Sequence, residues 1–180
     1  MDIISKEMDN AIDTYKEMIE SLGESGHAWI LCQNLGAIFE KRKDYDNAIK
    51  YLKKTFSLPE PSLSLFEDKN IDEIPNIMLQ LSGVYYKKCD QLIDKEKFDE
   101  AVSTCKEVFE FVKEDQEILG IYYYNLAMIV GKKTVHFVME NLDSALCKEL
   151  IDESDRLLQK SASMGCEEAV DALKKIDNGY

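Results

Sequence analysis

The sequence predicts an all-α protein, an α-α superhelix of stacked helix pairs, and three observations predict it. The first is a nine-residue pattern that occurs three times: NLGAIFEKR (Asn34 to Arg42), QLSGVYYKK (Gln80 to Lys88) and NLAMIVGKK (Asn125 to Lys133). Each runs amide, Leu, small residue, then variable and apolar positions, then a basic pair. The second is an apolar-Asp-x-Ala-apolar pattern, present as MDNAI (Met8 to Ile12), YDNAI (Tyr45 to Ile49), FDEAV (Phe98 to Val102) and LDSAL (Leu142 to Leu146). The two patterns alternate, so the repeating unit is two helices, one opening on each. Such a pair cannot bury its apolar face alone, and successive pairs must stack into one core. The third observation is negative. The three prolines (Pro59, Pro61 and Pro75) share one window, and no turn dipeptide separates alternating strand-like runs.

Helical periodicity then places the elements in order. A first helix over Ile3 to Leu22 carries Ile4, Met8, Ala11, Ile12, Tyr15, Met18, Ile19 and Leu22 at helical spacing and stops at Gly23. Because MDNAI aligns with YDNAI, this helix is the second half of an incomplete unit and is expected to pack on its successor. The first full unit (near 27–58) pairs Ala28–Lys43 with Tyr45–Leu58. The second (near 75–113) pairs Pro75–Asp94 with Phe98–Val112, and the third (near 116–164) pairs Gln116–Met139 with Asp143–Met164. A last helix over Cys166–Ile176, after a break at Gly165, closes the end as terminal repeats of solenoids must. At 180 residues the chain supports one domain over 1–180. The connection from Leu58 to Ile74 carries Leu63, Leu65 and Phe66, which are expected to pack on the core rather than hang in solvent.

Small residues at Gly36 and Ala48, aromatics at Phe39 and Tyr45, and Pro59 after the second helix make His27 to Pro59 resemble a tetratricopeptide repeat. The Ala/Gly rhythm of Leu157 to Leu173 is similar to the Sel1-like branch of that superfamily. Later units depart from the pattern. Leu35 to Tyr45 is ten residues, whereas Leu81 to Phe98 is seventeen and Leu126 to Leu142 is sixteen. The extra residues amount to about two helical turns, so longer first helices are expected in the second and third units.

Charge and chemistry narrow the function. The net charge of −13 repels nucleic-acid phosphates and anionic membrane surfaces, and steers basic protein partners toward the chain. The first residues lack an apolar signal region, and the longest apolar run, Ile118 to Val130, is too short to span a bilayer, which predicts a cytoplasmic protein. Five cysteines stand far apart without a CxxC pair, and neither His27 nor His136 has a helical neighbour that would complete a zinc site. Cys32 and Cys105 fall at apolar helix positions and read as core residues. No nucleophile elbow, phosphate loop or glycine-rich turn is present, so no catalytic residue, cofactor or metal is assigned.

The candidate site is a peptide groove. In the tetratricopeptide family, the position before the repeated Leu lines the concave groove. The resemblance therefore implies a row of amides, Asn34, Gln80 and Asn125, on successive first helices. Lys41, Lys87 and Lys132 stand seven residues further on, about 20° away in direction, and would form a row beside it. An amide offers one donor and one acceptor to a peptide unit, and the lysines would favour acidic residues or a free carboxylate. Tyr86 and Tyr124 would add apolar or hydroxyl contacts. The same positions also have a structural reading, since lysine near a helix C-terminus complements the helix dipole. Family members that clamp a chaperone tail carry Lys and Asn where this chain has Gln33 and Ala37, which disfavours that ligand. Three function classes follow: a protein or peptide scaffold using the groove, a small acidic chaperone or neutralising partner of another protein, and an enzyme subunit. Oligomeric state stays open.

Overall fold

The computed structural model describes residues 3–62, 76–140 and 144–178, with the side chains of 3–6 excepted, and in this span the secondary structure is entirely helical. The helices are α1 (Ile3–Leu22), α2 (Gly26–Lys41), α3 (Tyr45–Thr55), α4 (Ile77–Ile93), α5 (Phe98–Glu107), α6 (Phe109–Val112), α7 (Gln116–Met139), α8 (Ser144–Ser163) and α9 (Glu167–Asp177). Leu63, Leu65, Phe66, Pro75, Leu142 and Asp143 lie outside the described residues. The chain divides into two compact units, residues 1–84 and 85–180, and the division falls inside α4.

Local chemistry sets the helix starts. Ser25, Asp44 and Asp115 stand just before α2, α3 and α7, and each side-chain oxygen accepts a backbone N–H from three residues on, at 3.0–3.2 Å. These caps satisfy donors that the first turn would leave orphaned. Three of the stops share one geometry. Lys43, Glu96 and Gly165 adopt left-handed backbone, with φ of 60°, 57° and 87°. In each case the following N–H reaches back to the carbonyl five residues earlier: Asp44 to Phe39, Lys97 to Leu92, Cys166 to Ser161. The left-handed residue itself bonds three residues back, to Glu40, Ile93 and Ala162. This is the Schellman turn. The next helix begins two residues after the left-handed position every time, at Tyr45, Phe98 and Glu167.

In the first unit, α1 packs on α2 and α2 packs on α3. The first helix thus takes the position its MDNAI element predicts, burying Ile12 and Ile19, and Asp9 pairs with Arg42. Leu35, Leu52 and Leu81 are fully buried, each contributing roughly 1.5–3 kcal/mol. Gly36 lets α2 approach α3 closely, because a Cβ there would lie 2.8 Å from Leu52 Cγ.

In the second unit α7 is the central helix and packs on α5, α6 and α8. Its buried residues include Ile118, Tyr122, Leu126, Ile129 and Val130, so it is apolar on several faces, as a helix covered from several sides must be. The helix predicted over Phe98–Val112 is interrupted once. Near Val108 the bonds shorten to i→i−3, and α5 and α6 are its two parts. Tyr85 of α4 donates from its hydroxyl to Glu107 at 3.1 Å, and the Cys89 thiol donates to the Ala101 carbonyl at 3.2 Å. At the chain end, Cys166 and Ala169 join Ala127 and Leu158 in a small cluster that seats α9. Ser161 donates to the Gly120 carbonyl at 2.7 Å, and a Cβ on Gly120 would stand 3.3 Å from that of Met164.

Helix lengths qualify one expectation. α7 has 24 residues against 16 for α2, as the spacing predicts, but α4 has only 17. α4 starts four residues before its Leu81, whereas α2 starts nine before Leu35, so the extra residues after the Leu are offset by a later start.

Candidate functional site: amide and tyrosine–lysine patches

In the first unit, Asn34 is half-buried on α2, and Gln80 is half-buried on α4. Gln80 is engaged by a residue that the groove reading passed over. The Gln33 amide donates to the Gln80 carbonyl oxygen at 3.2 Å, tying α2 to the first half of α4. One N–H and the oxygen of Gln33 stay outside this bond, as do both N–H groups of Gln80. The pair therefore presents donors and an acceptor together, the complement of a peptide unit. Lys41 is the last residue of α2 and exposed, the position where a cation complements the helix dipole.

In the second unit, Tyr86 and Tyr124 are half-buried, Asn125 is half-buried and Lys87 and Lys132 are exposed. Lys132 pairs with Asp90 at 2.6 Å, and its ammonium stands 6.0 Å from the centre of the Tyr86 ring. The hydrogen bond to Asp90 holds the Lys132 ammonium in its charged form above the ordinary lysine value. Burial, and then the Asp90 carboxylate, push the Tyr86 hydroxyl up. Tyr124 acts on Tyr86 in the same direction, so Tyr86, Asp90, Tyr124 and Lys132 form one electrostatic neighbourhood. The neighbouring Lys133 pairs with Asp99 at 2.7 Å. The basic pair of the third repeat copy thus holds carboxylates of α4 and α5. Lys132 sits in mid-helix, so the dipole does not account for it, while Asp90 does. With both lysines neutralised from within the chain, this patch offers tyrosines and an amide rather than free positive charge.

The five cysteines are all unpaired and buried, with Cys32 and Cys105 in the core positions their spacing predicts. Burial pushes the Cys32 thiol up, while the contact with Cys89 together with burial pushes Cys105 up. Burial likewise raises Tyr85 and Tyr122 well above the ordinary tyrosine value. All four groups hold their protons more tightly in the folded state than in the unfolded chain. Their stabilisation is therefore fully present below the ordinary thiol and tyrosine values, about 8.5 and 10, and is lost as pH rises past them. The thermal midpoint is expected to be constant from about pH 7 to 8 and to fall steeply by about pH 11. Tyr85→Phe with Tyr122→Phe should flatten that fall, and an unchanged slope would contradict the assignment.

Among the described residues no group of three or more His, Cys, Asp or Glu is placed to hold a metal ion, and no helix is long and apolar enough to cross a membrane. No protein-family model matches the chain, and no curated protein is significantly similar to it.

Proposed function

We propose that this protein is a non-enzymatic interaction module of tetratricopeptide type, which binds an extended protein segment through amides on its first helices. The observation that carries the reading is the Gln33–Gln80 pair beside Asn34. Two helices present adjacent, half-buried amides with unused donors and an acceptor. A peptide backbone offers the matching groups at every residue, so such a pair grips main chain with little dependence on side chains. The second unit supplies its own surface, where Tyr86, Tyr124 and Asn125 suit apolar and hydroxyl-bearing residues. Because Lys132 is held by Asp90, an acidic ligand has less attraction there than the sequence pattern alone implies. The partner is a protein or peptide, with no nucleic acid, membrane or cofactor, and the module works in the cytoplasm.

The test is a titration of library-selected extended peptides against wild type, a Gln33→Ala, Gln80→Ala double variant, and an Asn34→Ala, Asn125→Ala double variant. Each double variant is expected to weaken binding about tenfold, the effect of losing about 1.4 kcal/mol of hydrogen bonding. Affinity unchanged in both would remove the amides from the site.

A further inference from the structure

α9 fills only part of the groove between α7 and α8. With 11 residues it is about 17 Å long, against about 36 Å for the 24 residues of α7 and about 30 Å for the 20 of α8. Its seat is the stretch around Tyr124 and Ala127 on α7 and Leu157 and Leu158 on α8. Beyond Ala127 the same helix faces continue with nothing from α9 on them, and they line an open groove of about 380 Å³. Its floor is small or short: Gly131 faces Ser154, and Ser154 donates to the Ala127 carbonyl at 3.1 Å. Its walls are apolar. Val135, Val138 and Met139 are 59, 54 and 76% exposed, and Ile151 across from them is 47% exposed. Clustered exposure of this kind marks a binding surface, whereas single exposed apolar residues are ordinary.

Shape and charge select the occupant. The groove already accepts a helix in its filled half, and a small floor lets a second helix approach as closely. The open stretch from Ala127 to Met139 is twelve residues of α7, about 18 Å, or three helical turns. One carboxylate, Asp155, lines it without an ion pair among the described residues, and Asp152 is exposed on the same helix. The chain as a whole carries −13, so a second copy would bring like charge against it. We propose that the open half of the α7–α8 groove binds a basic amphipathic helix of another protein, end to end with α9. Apolar residues at i, i+4 and i+7 would enter between Val138 and Ile151, with a Lys or Arg at the edge beside Asp155. This site shares no residue with the amide and tyrosine patches, so either can fail without the other.

A display library of 14-residue peptides with fixed helical apolar spacing and randomised polar positions tests it, panned against the whole chain and measured by fluorescence anisotropy. Enriched peptides are expected to be rich in Lys or Arg and to bind Val138→Glu at least tenfold more weakly, and Asp155→Asn several-fold more weakly. Peptides selected for the amide patch should bind Val138→Glu as they bind wild type. Val138 is more than half exposed, so the variant is expected to fold, and its thermal melt checks this. No enrichment over the Val138→Glu control, or enriched peptides without basic residues, would overturn the proposal. Self-association of wild type that Val138→Glu abolishes would assign the groove to a second copy instead, and overturn it equally.

Discussion

Leu52→Ala is expected to lower the unfolding free energy of the first unit by about 3 kcal/mol, within the range of about 2–5 found for fully buried leucines. Leu52 has no exposed surface and stands against α2 at Gly36, so truncation leaves a cavity between two helices that are held close. Denaturant unfolding followed by fluorescence reads this unit selectively, because the single tryptophan, Trp29, is in α2. The pair also permits a sharper comparison. Alanine in a helix is favoured over glycine by about 1 kcal/mol, yet a Cβ on Gly36 meets Leu52 at 2.8 Å. Gly36→Ala is therefore expected to give no gain in wild type and a gain of up to about 1 kcal/mol in the Leu52→Ala background. Equal gains in both backgrounds would mean that Leu52 is not what demands the glycine.

The largest loss expected in the second unit follows Tyr85→Ala, about 4 kcal/mol, because Tyr85 is 1% exposed and large aromatic truncations cost about 3–5. Tyr85→Phe separates packing from hydrogen bonding. It keeps the ring and removes the hydroxyl that donates to Glu107, an exposed residue, so about 1 kcal/mol is expected. The readout is the urea midpoint of the helical circular dichroism signal. A Tyr85→Ala loss as small as that of Tyr85→Phe would show that the ring is not a core element.

The helices were largely legible from the sequence, and the reason is local. Periodicity over ten or more residues, together with capping residues such as Ser25, Asp44 and Asp115, carries helix position without reference to the rest of the chain. The predicted and observed bounds of α1 and α7 coincide. What was not legible depends on residues far apart in sequence. Nothing near Lys132 announces Asp90, which lies 42 residues earlier, nor does anything near Gln80 announce Gln33, 47 residues earlier. Those two contacts redraw the candidate site. One adds a residue to the amide patch, and the other removes positive charge from the tyrosine patch. The turns escaped for a different reason. Lysine and glutamate rarely adopt left-handed backbone, so Lys43 and Glu96 carry no glycine-like signal, whereas Gly23 and Gly165 marked their turns in advance.

That shared turn has a consequence for how such a chain can change length. From the carbonyl that closes the turn to the first residue of the next helix is six residues each time, Phe39 to Tyr45, Leu92 to Phe98 and Ser161 to Glu167. The variation lies upstream, where Leu81 stands seven residues further from its turn than Leu35 does from its own. Seven residues are two helical turns less about 20°, so along a continuous helix each leucine keeps nearly the same direction relative to its own turn. Insertions of a heptad lengthen the arm of a helix pair and leave its corner and its buried face in phase. Any other number rotates one against the other.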